Sequence, residues 1–150
     1  MEVILYLGLI VVVMPLVAML AYFSVGARAR SQDTDLILAE GNKVIRVVGQ
    51  TIRNATKIND PILGMTSDSL SLAVDDAGKN PVVFKIANGR LVKSEGPGPL
   101  VELTSSRIAI NQIAFANTSQ PGTPGTVTFD FTLASVIFSK NFHATASLRY

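Results

Sequence analysis

Cysteine and tryptophan are absent from the 150 residues, and histidine occurs once, as His143. The first absence excludes disulfide scaffolds, Cys-based zinc sites, iron–sulfur clusters and thiol catalysis. A lone imidazole excludes a multi-His metal cluster. Charge is scarce too, at 16% of residues against 48% apolar, a composition that argues against an intrinsically disordered chain. A net charge of +2 is too small to argue for nucleic acid by itself. S-x-x-K, G-x-S-x-G, Walker A and G-x-G-x-x-G patterns are all missing, so neither an enzyme nor a cofactor is expected.

The average hides an uneven distribution. All thirteen Lys and Arg, and all the acids except Glu2, lie beyond residue 27. From Val3 to Ala27 the chain reads VILYLGLIVVVMPLVAMLAYFSVGA, with no ionisable side chain other than two tyrosines. As a helix this stretch reaches about 37 Å, enough for a hydrocarbon core about 30 Å thick. A helix apolar all round is buried in lipid or in other protein, and the remaining residues are too few to surround it. The sequence therefore predicts a single-pass, membrane-anchored chain. A secretory signal peptide fits less well, because there is no basic n-region and the apolar run is too long.

Beyond Arg28 the apolar residues fall into helical spacing: Leu36, Ile37, Val44, Val47, Val48, Ile52, Ala55 and Ile58. Asp33, Asp35 and Glu40 precede Lys43, Arg46, Arg53 and Lys57, the order the helix dipole favours. Asp60-Pro61 supplies a stop. The prediction is one helix from about Glu2 to Lys57, greasy in its first half and amphipathic in its second. Pro15 marks a kink or a place where that helix locally melts.

After Pro61 the pattern alternates. Leu70, Leu72 and Val74 mark one strand, and residues 75–81 a turn. Val82–Ala87 and Arg90–Lys93 flank Asn88-Gly89, a strong hairpin signal. Leu100–Leu103 starts a short strand. Arg107–Phe115 alternates with a phase change that suggests a bulge, and residues 117–125 read as a loop. Val127, Phe129, Phe131 and Leu133 give the cleanest alternation, and Phe142, Ala144, Ala146 and Leu148 the last strand. The fold expected is α+β: a long N-terminal helix packed on an antiparallel β-sheet. Its parts are residues 1–27 as the apolar helix half, 28–58 as the amphipathic half and 59–150 as the sheet domain, with 28–150 one globular unit.

Glu2-Val-Ile-Leu-Tyr-Leu-Gly-Leu, followed by more apolar residues and then a polar helix, resembles the N-terminal segment of type IV pilins and pilin-like proteins. The family's motif carries a basic leader, a Gly and usually Phe-Thr-Leu ahead of the glutamate, and here Met1 stands there alone. The resemblance implies a structural subunit of a type IV pilus-like filament that leaves the membrane and polymerises through its apolar helix. Alternatives are a pseudopilin of a type II secretion or DNA-uptake system, and a membrane-anchored surface binding module that never polymerises. It implies that Glu2 accepts the N-terminal amine of a neighbouring subunit, and that Leu5, Leu9, Val12 and Leu16 pack in the filament core around Pro15. Implied partners are copies of the same chain or related pilins, the membrane before assembly, a prepilin peptidase and pilus assembly machinery. The implied location is a single-pass membrane protein that becomes an extracellular or envelope filament. Cell adhesion and DNA uptake are further roles in such proteins, although the spread of Lys and Arg here gives nucleic acid little support.

Other motifs carry less. Asp75, Asp76 and Asn80 offer oxygen ligands for Ca²⁺ but are also ordinary turn residues, so no metal site is expected. Asn54-Ala-Thr and Asn117-Thr-Ser match a glycosylation sequon. His143 alternates away from Phe142 and reads as a solvent-side strand residue.

Overall fold

The computed structural model describes residues 2–149; the side chains of Glu2, Ile4, Leu5 and residues 23–31, like Met1 and Tyr150, lie outside the described set. Among the described residues one helix, α1 (Glu2–Arg53), is followed by nine strands. These are β1 (Lys57–Asp60), β2 (Thr66–Ser67), β3 (Leu70–Ala73), β4 (Val82–Ala87) and β5 (Arg90–Glu95), then β6 (Val101–Glu102), β7 (Ala109–Asn117), β8 (Thr126–Ala134) and β9 (Ser139–Ser147). They form two antiparallel sheets, ordered β1-β3-β4-β5-β6 and β2-β7-β8-β9.

This corrects the expectation of a long N-terminal helix packed on one antiparallel sheet. What packs is the stretch from Gln32 to Arg53, and the core it joins is built from both sheets. The reason is compositional. Ile37, Val44, Val48 and Ile52 form a stripe that is fully buried, whereas the stretch before residue 23 has no polar face to turn outward, so no single side of it is marked for a sheet. Alternation along a strand reveals its buried face and says nothing of which sheet it joins; residues 61–65 carry the chain from β1 in one sheet to β2 in the other.

The helix also ends earlier than Lys57. Ala55 N donates to Ile52 O at 3.1 Å, tightening the last turn, and Thr56 N is taken by Ala73 O at 2.8 Å. From there Lys57–Asp60 pairs with β3, so Ile58 serves a strand and the helix–sheet junction falls at residues 54–56. Arg149 N donates to the Arg53 carbonyl at 3.1 Å, meeting one of the helix's terminal acceptors.

The hairpin of β4 and β5 turns at Asn88 and Gly89, both at positive φ (53° and 70°), the geometry that Asn-Gly adopts most cheaply. The phase change in β7 is a register shift against β8 between Ile110 and Gln112. Inner-face phenylalanines run across the second sheet, Phe129 to Phe131 at 6.3 Å and Phe131 to Phe142 at 5.1 Å between centroids. Together with Leu70, Leu72, Phe84 and Leu91 from the first sheet and the α1 stripe, they make one continuous core. Each fully buried side chain of this size contributes about 1.5–3 kcal/mol.

Asn117 locks the crossing between sheets. It is buried, and its Nδ2 donates to Pro61 O at 2.9 Å. Its Oδ1 accepts from Ser119 N at 3.2 Å and from Ser119 Oγ at 2.5 Å. Its backbone N donates to Met65 O, and its carbonyl accepts from Gly64 N, both at 3.0 Å. The sequon at this position thus presents no accessible amide.

Among the described residues no helix is long and apolar enough to cross a membrane. The expected single-pass membrane location is corrected accordingly. Described side chains run unbroken from Tyr6 to Tyr22, about 25 Å of helical rise against a hydrocarbon core about 30 Å thick.

Candidate assembly surface

Among the described residues, thirteen large apolar side chains from Val3 to Leu20 are exposed, each between 44% and 72%. Leu9, Val12 and Leu16 follow one another at spacings of three and four, which sets them on one side of the helix. All three are more than half exposed. Pro15 lies between them inside α1, where its missing N–H leaves the Val11 carbonyl without the usual helix partner. The side chains of Glu2 and Leu5, for which the resemblance implies neighbour pairing and core packing, lie outside the described residues.

The size of this surface sets it apart. A helix about 25 Å long and 10 Å wide presents on the order of 800 Å², beyond the largest apolar patch of roughly 300–600 Å² on an ordinary monomer. At about 1 kcal/mol for the remaining burial of each side chain, covering thirteen of them returns on the order of 13 kcal/mol before association costs. That rivals the whole folding stability of a domain, about 5–15 kcal/mol.

A second apolar feature stands at the turn between β8 and β9. Val136 is 98% exposed, Ile137 57% and Phe138 40%. Ser135 Oγ holds this turn to the helix through Asp33 Oδ2 at 3.1 Å. The composition of the turn, three apolar residues where polar ones are usual, was a sequence signal that strand alternation alone passed over.

Elsewhere the buried Glu40 Oε2 and Ser105 Oγ lack a hydrogen-bond partner among the described residues, while many other polar side chains pair with one another. A cleft of about 430 Å³ beside the C-terminal part of α1 is lined by Gln50, Asn54, Asp76, Lys79, Lys93 and Glu95. Its lysines already face acids: Lys79 Nζ lies 3.4 Å from Asp76, and Lys93 Nζ lies 2.5 Å from Glu95. The Glu95 carboxyl is held below its ordinary value near 4.5, chiefly by the hydrogen bond from Lys93 and against a smaller desolvation. Asp76 Oδ1 accepts from Gly78 N at 3.0 Å, a turn contact. Among the described residues no cluster of three or more His, Asp and Glu is disposed to hold a metal.

On the outer face of the second sheet, cross-strand partners pair through their polar groups. Thr126 meets Ser147 at 2.9 Å, Thr128 meets Thr145 at 3.1 Å and Thr132 donates to Asn141 at 2.7 Å. Asp130 and His143 continue this ladder through Nδ1. The His143 side chain is exposed, and among the described residues no hydroxyl joins the pair to complete a nucleophile–base–acid chain. These contacts are cross-strand stabilisers. No protein-family model, curated protein or solved structure matches this chain.

Proposed function

We propose that this chain is the structural subunit of a type IV pilus-like filament, polymerising through the apolar N-terminal segment of α1. The observation that carries it is the run of thirteen exposed apolar side chains from Val3 to Leu20, joined to a domain whose own core is already closed. Copies of the same segment supply surface of the same chemistry and length. Packing them together removes the patch from water without asking the domain to rearrange.

The resemblance of the first residues to pilins supports the same choice and adds finer expectations. Glu2 pairs with a neighbouring subunit's N-terminus and sets register, as buried ion pairs do better than they stabilise. Processing by a prepilin peptidase and handling by assembly machinery follow from that resemblance.

Electron microscopy of the full-length chain in detergent-free buffer tests the proposal. Filaments are expected for the wild type, and their loss for Leu9→Ser/Val12→Ser/Leu16→Ser with the unfolding midpoint of the domain unchanged. Dispersed single particles from the wild type would overturn it. Glu2→Ala is expected to lower filament yield at least tenfold; an unchanged yield removes the register role of that residue.

A further inference from the structure

The turn between β8 and β9 puts three apolar side chains into solvent, and it is not a loose loop. Ser135 N donates to Phe138 O at 2.8 Å. Ser135 Oγ accepts from Ile137 N at 3.3 Å and from Phe138 N at 3.2 Å, and donates to Asp33 Oδ2 at 3.1 Å. One serine thus satisfies the turn's backbone and fastens it to α1. Val136 is left 98% exposed, so nothing among the described residues covers it.

We propose that this tip, Val136-Ile137-Phe138, docks on the apolar α1 segment of a second copy of the chain. The proposal rests on the filament reading above and names a second, separate part of the subunit contact. Three side chains are a small fraction of the roughly 800 Å² per partner that a stable interface buries, so the tip is not a binding site alone. The α1 segment supplies an area of about that size. The tip is fastened at Asp33, on the side of the domain from which that segment leaves. The described side chains of its own apolar segment end at Tyr22, eleven residues before Asp33 and about 16 Å along the helix, beyond the reach of a three-residue turn. A neighbour's segment running past the domain reaches it. The ordered turn also means that little side-chain or loop entropy is lost on docking.

The chain has no cysteine, so single cysteines report without background. Full-length Val136→Cys is mixed with full-length Leu9→Cys, Val12→Cys or Leu16→Cys and oxidised. At least one mixture is expected to give tenfold more heterodimer than the same mixture made with Gln120→Cys, an exposed position in the loop between β7 and β8, at the opposite end of the sheet from the tip. If the helix cysteines link to one another while Val136→Cys does no better than Gln120→Cys, the filament reading stands and the tip proposal falls. If no helix pair links either, both fall. Val136→Ser/Ile137→Ser is expected to raise the concentration needed for assembly about tenfold. An unchanged threshold contradicts the proposal, as does loss of binding to phosphatidylcholine vesicles with assembly intact, which would make lipid the tip's partner.

Discussion

The ring of Phe142 occupies the space that a side chain on Gly41 would need: a Cβ built there falls 2.2 Å from its Cζ and 2.3 Å from its Cε1. Gly41 lies on the buried side of α1 between Ile37 and Val44, and its missing side chain lets β9 approach the helix. Phe142 in turn stacks on Phe131 at 5.1 Å, so the ring has no easy retreat. Glycine in mid-helix costs about 1 kcal/mol relative to alanine, and here that cost secures the contact between α1 and the second sheet.

Gly41→Ala is therefore expected to destabilise the domain by about 1–3 kcal/mol through overpacking, despite alanine's better helix propensity. Urea unfolding of the full-length protein measures it. Gly41→Ala with Phe142→Leu should recover part of the loss, whereas a stabilised single variant would show that the ring moves aside.

Asn117→Ala removes the donor to Pro61 O and the acceptor for Ser119. Leaving a buried carbonyl without its partner costs about 1–3 kcal/mol. The loss is expected in unfolding midpoint, with faster amide exchange at Gly64 and Ser119. Exchange unchanged at both would remove Asn117 from the crossing between sheets.

Glu95 gives the pH dependence its sign. Its folded carboxyl lies below its ordinary value, so the stabilisation is present above that ordinary value and is lost as pH falls through the lowered one. The pair is partly exposed, and about 1 kcal/mol is its upper range. Glu95→Gln should unfold more easily than wild type at pH 7, and the gap should close as pH falls below the ordinary carboxylate range. A gap that persists in acid would assign the effect to packing of Lys93 over Phe84, 5.9 Å from the ring centroid.

How much of this was legible in the sequence varies with the distance over which each signal acts. Asn88-Gly89 and the alternation of Val127, Phe129, Phe131 and Leu133 are local, and they stand as the β4–β5 turn and the inner face of β8. The end of α1 was misplaced because Thr56 is claimed by Ala73, seventeen residues on, and no local spacing reports such competition. Strands β1 and β2 are short and carry few apolar residues; they exist through their partners. Asn117, which composition reads as an ordinary loop residue, fastens the crossing between the two sheets by reaching Pro61. Of the candidate surface, the apolar run from Val3 was plain, and the tip at Val136 needed the Ser135–Asp33 contact to acquire a place beside the helix.

Thiol labelling bears most directly on the central claim that copies bury the α1 segment among themselves. Leu9→Cys, Val12→Cys and Leu16→Cys are each reacted with a maleimide at concentrations well below and well above the assembly threshold, with Gln120→Cys as the exposed control. Labelling of the three helix positions is expected to slow at least tenfold in the concentrated sample while the control stays constant. Equal rates at both concentrations would mean that no copy covers the segment, and the filament account would be contradicted.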